Sequence, residues 1–490
     1  MTDKLGRDRC MGAARALLAA VCLSTGAGCG SGYGGGGYAT GGQGGGGHGG
    51  APPGPRATGL ARLNHLVVIV LENWSFDSLY AEMPGAEGLS GADQAPGQVD
   101  ATGAVYATLP QTEAHLPPTL ANAPFALDDY IPASAETSAD LTTNFYEEQR
   151  QIHGGKMDQF VLYNAASKGL TMGYYHTAGL PLAAEAAKYT LCDHFFHGVF
   201  GGSLVNHIFL VSAAVAQFAN APTSIKRAVL DNAGAPVPDA AGKPQDGPLT
   251  PDGYVVGTLY PAGGPHPPAT PAEQLVPPQT FPTIGDGLTA KGLDWAWYAE
   301  GWTRIVSGSG LNDAGVDPTT LFQYNHQPFP YFDGYGEGQP GRAHLKDESD
   351  FMAAAAAGTL PAVSFVKPDG IDDEHPNYTN VVSGEAHARA LIDAVRNGPT
   401  WADTAIIVTY DENGGFWDHV SPPAGDRWGP GTRVPTLVIS PLARKGFVDT
   451  TVYDTSSILA LIEHRFDVAP LGTRDAAAAD MTAAFDFTQP

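Results

Sequence analysis

The sequence predicts an α/β fold built on one mostly parallel sheet covered on both faces. Five short apolar runs are spread along the chain with helical stretches between them. Such alternation is the pattern of a doubly wound sheet. Two of the runs, from opposite halves of the chain, end on a pair of polar or acidic residues: Glu72-Asn73 and Asp411-Glu412. Ligands bind at the carboxyl ends of strands in such sheets, so these oxygens are expected to converge on a cation.

The first segment lies outside the expected fold. Lys4, Arg7, Arg9 and Arg15 precede the apolar stretch Ala16 to Leu23, which is too short to span a bilayer. Gly26-Ala27-Gly28-Cys29 then resembles a bacterial lipoprotein cleavage box, with Gly26 where Leu is usual. Residues 1–29 are therefore expected to be an export signal, either of lipoprotein type with Cys29 as a membrane tether or without lipidation. The destination is periplasm, envelope or medium. Residues 30–60 are rich in Gly and Pro and are expected to be a flexible tether. Residues 61–490 are expected to form one domain.

Within it, His65 to Leu71 reads as a strand buried on both faces, because its apolar run is nearly unbroken. Thr177 to Lys188 reads as a helix. From about Ala216 to Thr280 the chain turns Pro/Gly-rich with little periodicity and is expected to loop over one face as an insertion. Leu293 to Tyr298 and Leu360 to Val366 are the next strands. A helix over Ala386 to Asn397 leads to the strand Ala405 to Tyr410. The strand Pro435 to Ser440 and a helix over Ser456 to Phe466 follow.

Composition narrows the partners. Of 490 residues, 43% are hydrophobic and 16% charged, a globular balance. The net charge of -25 argues against nucleic acid, whose phosphates are held by Lys and Arg. A small phosphate ester is not excluded, since a metal ion reverses the local field. Four cysteines, Cys10, Cys22, Cys29 and Cys192, support neither a disulfide framework nor a cysteine zinc cluster. Cys192 is expected to be a small buried hydrophobe. The oligomeric state is left open.

Phe200-Gly201-Gly202-Ser203 precedes an apolar helical stretch, which puts Ser203 at a helix start. Free N–H groups there attract an anion, so Ser203 is a candidate nucleophile on phosphorus. The competing reading is an N-cap serine after a glycine turn. An esterase elbow needs Gly-x-Ser-x-Gly, and Val205 breaks it. His326, His375 and His419 stand in polar loops, each a candidate for substrate contact. The chain has no P-loop and no His-Glu-x-x-His.

Taken together these segments resemble the phosphoesterase family that groups bacterial phospholipases C with acid phosphatase A-type enzymes. The opening motif is similar to Glu72-Asn73-Trp74-Ser75-Phe76-Asp77. Gly155-Lys156-Met157-Asp158, Thr171-Met172-Gly173-Tyr174-Tyr175 and the late run Tyr410 to Val420 follow in the family's order. The resemblance implies an alkaline-phosphatase-like α/β/α sandwich. It implies one divalent metal ion on Glu72, Asn73, Asp411 and Glu412; oxygen ligands favour Ca²⁺, Mg²⁺ or Mn²⁺. It implies a phosphoseryl intermediate on Ser203, with Asn73, Asn206, His207, His326 and His375 around the phosphoryl group.

Gly202-Ser203-Leu204-Val205-Asn206-His207 is nearer the acid phosphatase branch, so the expected activity is monoester hydrolysis. Phospholipase C-type cleavage of a phospholipid head group is the alternative. A non-catalytic surface-binding lipoprotein on the same fold is the alternative of another class. Trp74 stands where the family has Arg, a change expected to alter packing beside the site. Thr143-Asn144 stands where a histidine is common, with His153 as a candidate replacement, and Asn325 precedes His326.

Overall fold

His65–Leu71 (β1) forms over the expected residues, and all but its first are buried. The other long central strand, Thr404–Tyr410, is buried throughout. Successive side chains on a strand point to opposite faces, so both faces of this sheet are covered. The computed structural model describes residues 59–489, apart from 93–95, 137–140, 165–166, 241–243 and 309–320. The expected signal and most of the tether, with Cys29, lie outside the described residues. Residues 56–490 form one compact unit.

The main sheet has eight strands. After β1 come Thr190–Cys192 (β2), Trp295–Ala299 (β3), Leu345–Asp347 (β4), Val363–Lys367 (β5), Thr404–Tyr410 (β6), Thr436–Ile439 (β7) and Phe447–Asp449 (β8). Their spatial order is β8-β2-β7-β6-β1-β5-β3-β4. Every pairing is parallel except the two made by β7, which is antiparallel to β2 and β6.

The helices form two mutually packed sets. Ser203–Ser212 packs on Thr455–Phe466 and on Ile284–Ala290. Pro181–Lys188 and Glu348–Ala357 pack on Val381–Arg396. Together with the buried faces of the sheet, these sets make the α/β/α sandwich. Pro181 opens its helix at the first helical position, where a missing N–H costs nothing, and so trims the expected start at Thr177. Among the described residues no helix is long and apolar enough to cross a membrane.

Cys192 is fully buried in β2, as its apolar context predicts. Trp74 is buried and stacks on Phe416, with ring centroids 4.3 Å apart.

Candidate active site

The strands at the middle of the sheet carry charge at their carboxyl ends. Leu71 lies opposite Tyr410 in the β1–β6 register, so Glu72-Asn73 and Asp411-Glu412 start side by side. Lys367 ends β5 on the other side of β1. Asn73 has φ +65°, a left-handed conformation that Asn tolerates better than most residues. The bend brings its N–H to Asp411 Oδ1 at 3.2 Å. Gly414, φ +62°, packs under this bend; a Cβ there would lie 2.0 Å from the Asn73 carbonyl oxygen.

Ser203 comes from the first turn of the helix Ser203–Ser212. Gly201 turns the chain with φ +97°, and its N–H donates to Glu148 Oε2 at 2.6 Å. Asn206 locks the turn: its Oδ1 accepts from Val199 N–H, and its Nδ2 donates to the carbonyls of Val199 and Gly201. Gly202 is the N-cap. Ser203 Oγ instead donates to Glu72 Oε2 at 2.9 Å. The N-cap reading of Ser203 therefore fails. So does the esterase triad, since among the described residues no imidazole hydrogen-bonds to Ser203 Oγ.

In front of Ser203 lies a cavity of about 240 Å³, walled by Asn73, Thr143, Asn144, Asn325, His326 and His375 among others. Val256 to Thr258 and Tyr260 complete the wall, so the irregular insertion does reach the site. Asn206 and His207 sit behind Ser203 and do not line the cavity. His207 is buried, its Nδ1–H donates to Ser203 O at 2.8 Å, and its ring stacks on His326. Two further histidines are also off the wall. His153 pairs with Asp158, so it does not replace the missing family histidine at Thr143-Asn144. His419 pairs with Asp77.

Sequence reasoning missed Lys367. Its Nζ lies 3.1 Å from Glu72 Oε1 and 3.3 Å from Asp373 Oδ2. Burial opposes its charge, but Glu72, Asp373 and Asp411 outweigh that and hold its pKa above the usual lysine value. The ammonium thus fills the acidic group formed by Glu72, His326 and Asp373. The signal was a single charge closing a buried strand, where Glu72-Asn73 and Asp411-Glu412 had shown a pair.

Burial and neighbouring carboxylates raise the acids. Glu72 is raised by burial and then by Asp411, and Glu412 likewise. Burial lifts Asp411 to about 6, against the pull of the Lys367 charge and the Asn73 N–H. His207 falls to about 3 through burial and the Lys367 charge. His326 is lowered for the same reasons, so both rings are neutral.

The hydrogen bonds around Asn73 depend on which way its amide faces. His375 Nδ1 lies 2.6 Å from the Pro376 carbonyl, which only accepts, so Nδ1 is assigned the proton. Its Nε2 then accepts from the Asn73 amide at 3.1 Å. That turns Asn73 Oδ1 onto Glu72 Oε2 at 3.0 Å and Glu412 Oε1 at 3.2 Å. With the amide reversed, its nitrogen donates to both carboxylates and its oxygen faces His375 Nε2. Asp411 Oδ2 is also buried without a hydrogen-bond partner. Acceptors crowded together in this way suit a hard divalent cation.

The profile of the Phosphoesterase family matches residues 63–469, which include every strand end and side chain just described. The chain belongs to the phosphoesterase family. It is a phosphoric ester hydrolase. This phosphoesterase is 28% identical to phospholipase C A of Mycobacterium tuberculosis (strain CDC 1551 / Oshkosh), over 89% of this chain and 80% of that protein. It is 26% identical to the non-hemolytic phospholipase C of Burkholderia pseudomallei, over 90% of this chain and 61% of that one. A solved protein in the alkaline phosphatase superfamily from Vibrio parahaemolyticus superposes with a TM-score of 0.33 at 12% identity, covering 74% of this chain and 75% of that one. The architecture given above rests on the strand order of the phosphoesterase itself.

Proposed function

We propose that this phosphoesterase hydrolyses phosphate monoesters through Ser203, with one divalent cation held by Glu72, Asn73, Asp411 and Glu412. The observation that carries the reading is the Ser203 Oγ to Glu72 Oε2 hydrogen bond at the mouth of a small polar cavity. Glu72 Oε2 takes the hydroxyl hydrogen and leaves an oxygen lone pair for phosphorus. The new Oγ–P bond forms as the bond to the leaving oxygen breaks, and that oxygen takes a proton from solvent to depart as the alcohol. Water then attacks phosphorus and gives up a proton to solvent, the Oγ–P bond breaks, and Oγ regains its hydrogen from Glu72. The bound cation would neutralise charge on the phosphoryl oxygens. Backbone N–H groups of the first helical turn point positive charge the same way. His326 and His375 stand on the wall to contact those oxygens, while Asn206 and His207 fix the serine from behind.

The named relatives are phospholipases C, which favours a second reading, cleavage of a phosphodiester head group. The cavity supports the first. Its wall carries mainly amides, hydroxyls and imidazoles, and offers little apolar surface to a diacylglycerol. We further propose export, on the strength of the basic and apolar start of the chain.

The test is hydrolysis of p-nitrophenyl phosphate beside p-nitrophenyl phosphorylcholine, with EDTA and with metal returned. Metal-dependent release from the monoester is the expected result. Release chiefly from the phosphorylcholine ester would replace the monoesterase reading with the phospholipase one. Undiminished release in EDTA would remove the cation.

A further inference from the structure

A second group of acids stands beyond the active site, at the ends of β3 and β5. Glu300 follows β3, and Asp369 and Asp372 lie in the loop after β5. The backbone ties these ends together: Glu300 N–H donates to Lys367 O at 3.0 Å, and Asp369 N–H to Glu300 Oε2 at 3.2 Å. One carboxylate oxygen from each of Glu300, Asp369 and Asp372 lies within 4.8 Å of the others. Ligands about 2.3–2.6 Å from a shared Ca²⁺ are separated by distances up to this size.

Asp369 marks this as more than a solvated acidic patch. The residue is only 3% exposed. Its Oδ1 accepts from Ile371 N–H, while its Oδ2 is buried with no hydrogen-bond partner. A buried, unpaired carboxylate oxygen is costly unless a cation meets it.

The positive charge nearby is too small. His387 lies 3.0 Å from Glu348, 3.8 Å from Glu300 and 3.7 Å from Asp372. Among the described residues no Lys or Arg pairs with Glu300, Asp369 or Asp372. The contrast is the Asp77, Asp418 and His419 group, where the buried Arg433 guanidinium bonds both aspartates. Around His387, one imidazole faces three carboxyl groups, those of Glu348, Glu300 and Asp372. Burial and then Glu300 accordingly hold the Asp369 carboxyl up at about 9.

We propose that Glu300, Asp369 and Asp372 bind a second, structural divalent cation, Ca²⁺ by the chemistry of its oxygen donors. The partial exposure of Glu300 and Asp372 leaves room for water ligands. The ion would pin β3 to the loop after β5. It does not depend on how Ser203 acts.

The experiment is calorimetric titration of the EDTA-stripped full chain with Ca²⁺, alongside Glu72→Gln and Asp369→Asn. The expected result is one equivalent of Ca²⁺ that survives in E72Q and is lost in D369N. Ca²⁺ should also raise the Tm of E72Q and leave that of the double variant E72Q/D369N unchanged. Asp372→Asn, at a partly exposed position, should weaken the same equivalent at least tenfold. Binding that disappears in E72Q and persists in D369N would overturn the proposal, as would no binding to E72Q at all.

Discussion

Ser203 Oγ donates to Glu72 Oε2 across 131 residues of sequence, joining a helix start to a strand end. Each is set in its own turn by its neighbours, and only the fold brings the two together. Ser203→Ala removes the oxygen proposed to attack phosphorus and leaves the helix and its Gly202 cap intact. Its kcat should fall at least about 10³-fold with an unchanged melting curve. Retained hydrolysis in that variant would remove Ser203 from the reaction.

Gly414 is a backbone support for the bend at Asn73. Its φ is +62°, and a methyl group would collide with the Asn73 carbonyl. Gly414→Ala should cost about 1–3 kcal/mol of stability through backbone strain. It should also lower kcat/KM by more than Asn73-remote variants of equal stability. A variant that melts lower yet keeps full kcat/KM would show that the bend at Asn73 does not matter to the site.

Lys367 holds two buried acids. Replacing it with Met leaves Glu72 and Asp373 without their counter-charge. Loss of one partner of such a pair costs about 3–5 kcal/mol. Urea unfolding of Lys367→Met should show a lower midpoint with an unchanged m-value. An unshifted midpoint would mean that the ammonium carries no structural load.

Glu463 supplies a pH dependence remote from the site. It lies in the helix Thr455–Phe466 and is 1% exposed. Burial, and then the neighbouring Asp475 carboxyl, lift its pKa to about 8, against an ordinary 4.5. The folded protein therefore keeps a proton that the unfolded chain releases. This stabilisation is complete below about pH 4.5 and declines as pH rises through about 8. Glu463→Gln carries its N–H at every pH. Its Tm should match the parent near pH 4.5 and exceed it increasingly towards pH 8. A constant Tm difference across that range would contradict the assignment.

The sequence by itself determined the centre of this protein. An unbroken apolar run at His65 to Leu71, and another at Ala405 to Tyr410, is legible because a strand buried on both faces has no polar positions to alternate. The carboxylates closing them were legible for the same reason, since a charge next to such a run must lie at the end of the strand. The edges of the sheet were not legible. β2, β4 and β8 have three residues each, too few to show a period. Nothing in Thr436 to Ile439 says that β7 runs antiparallel, because strand direction is set by distant partners. Only the tertiary structure decided that Asn206 and His207 stand behind Ser203 while His326 and His375 face the cavity. It also decided that Lys367 fills one acidic group while Asp369 is left without a counter-charge. These outcomes depend on side-chain direction at strand ends and loop bends, such as φ +65° at Asn73. That direction is fixed by long-range packing, which local sequence does not encode.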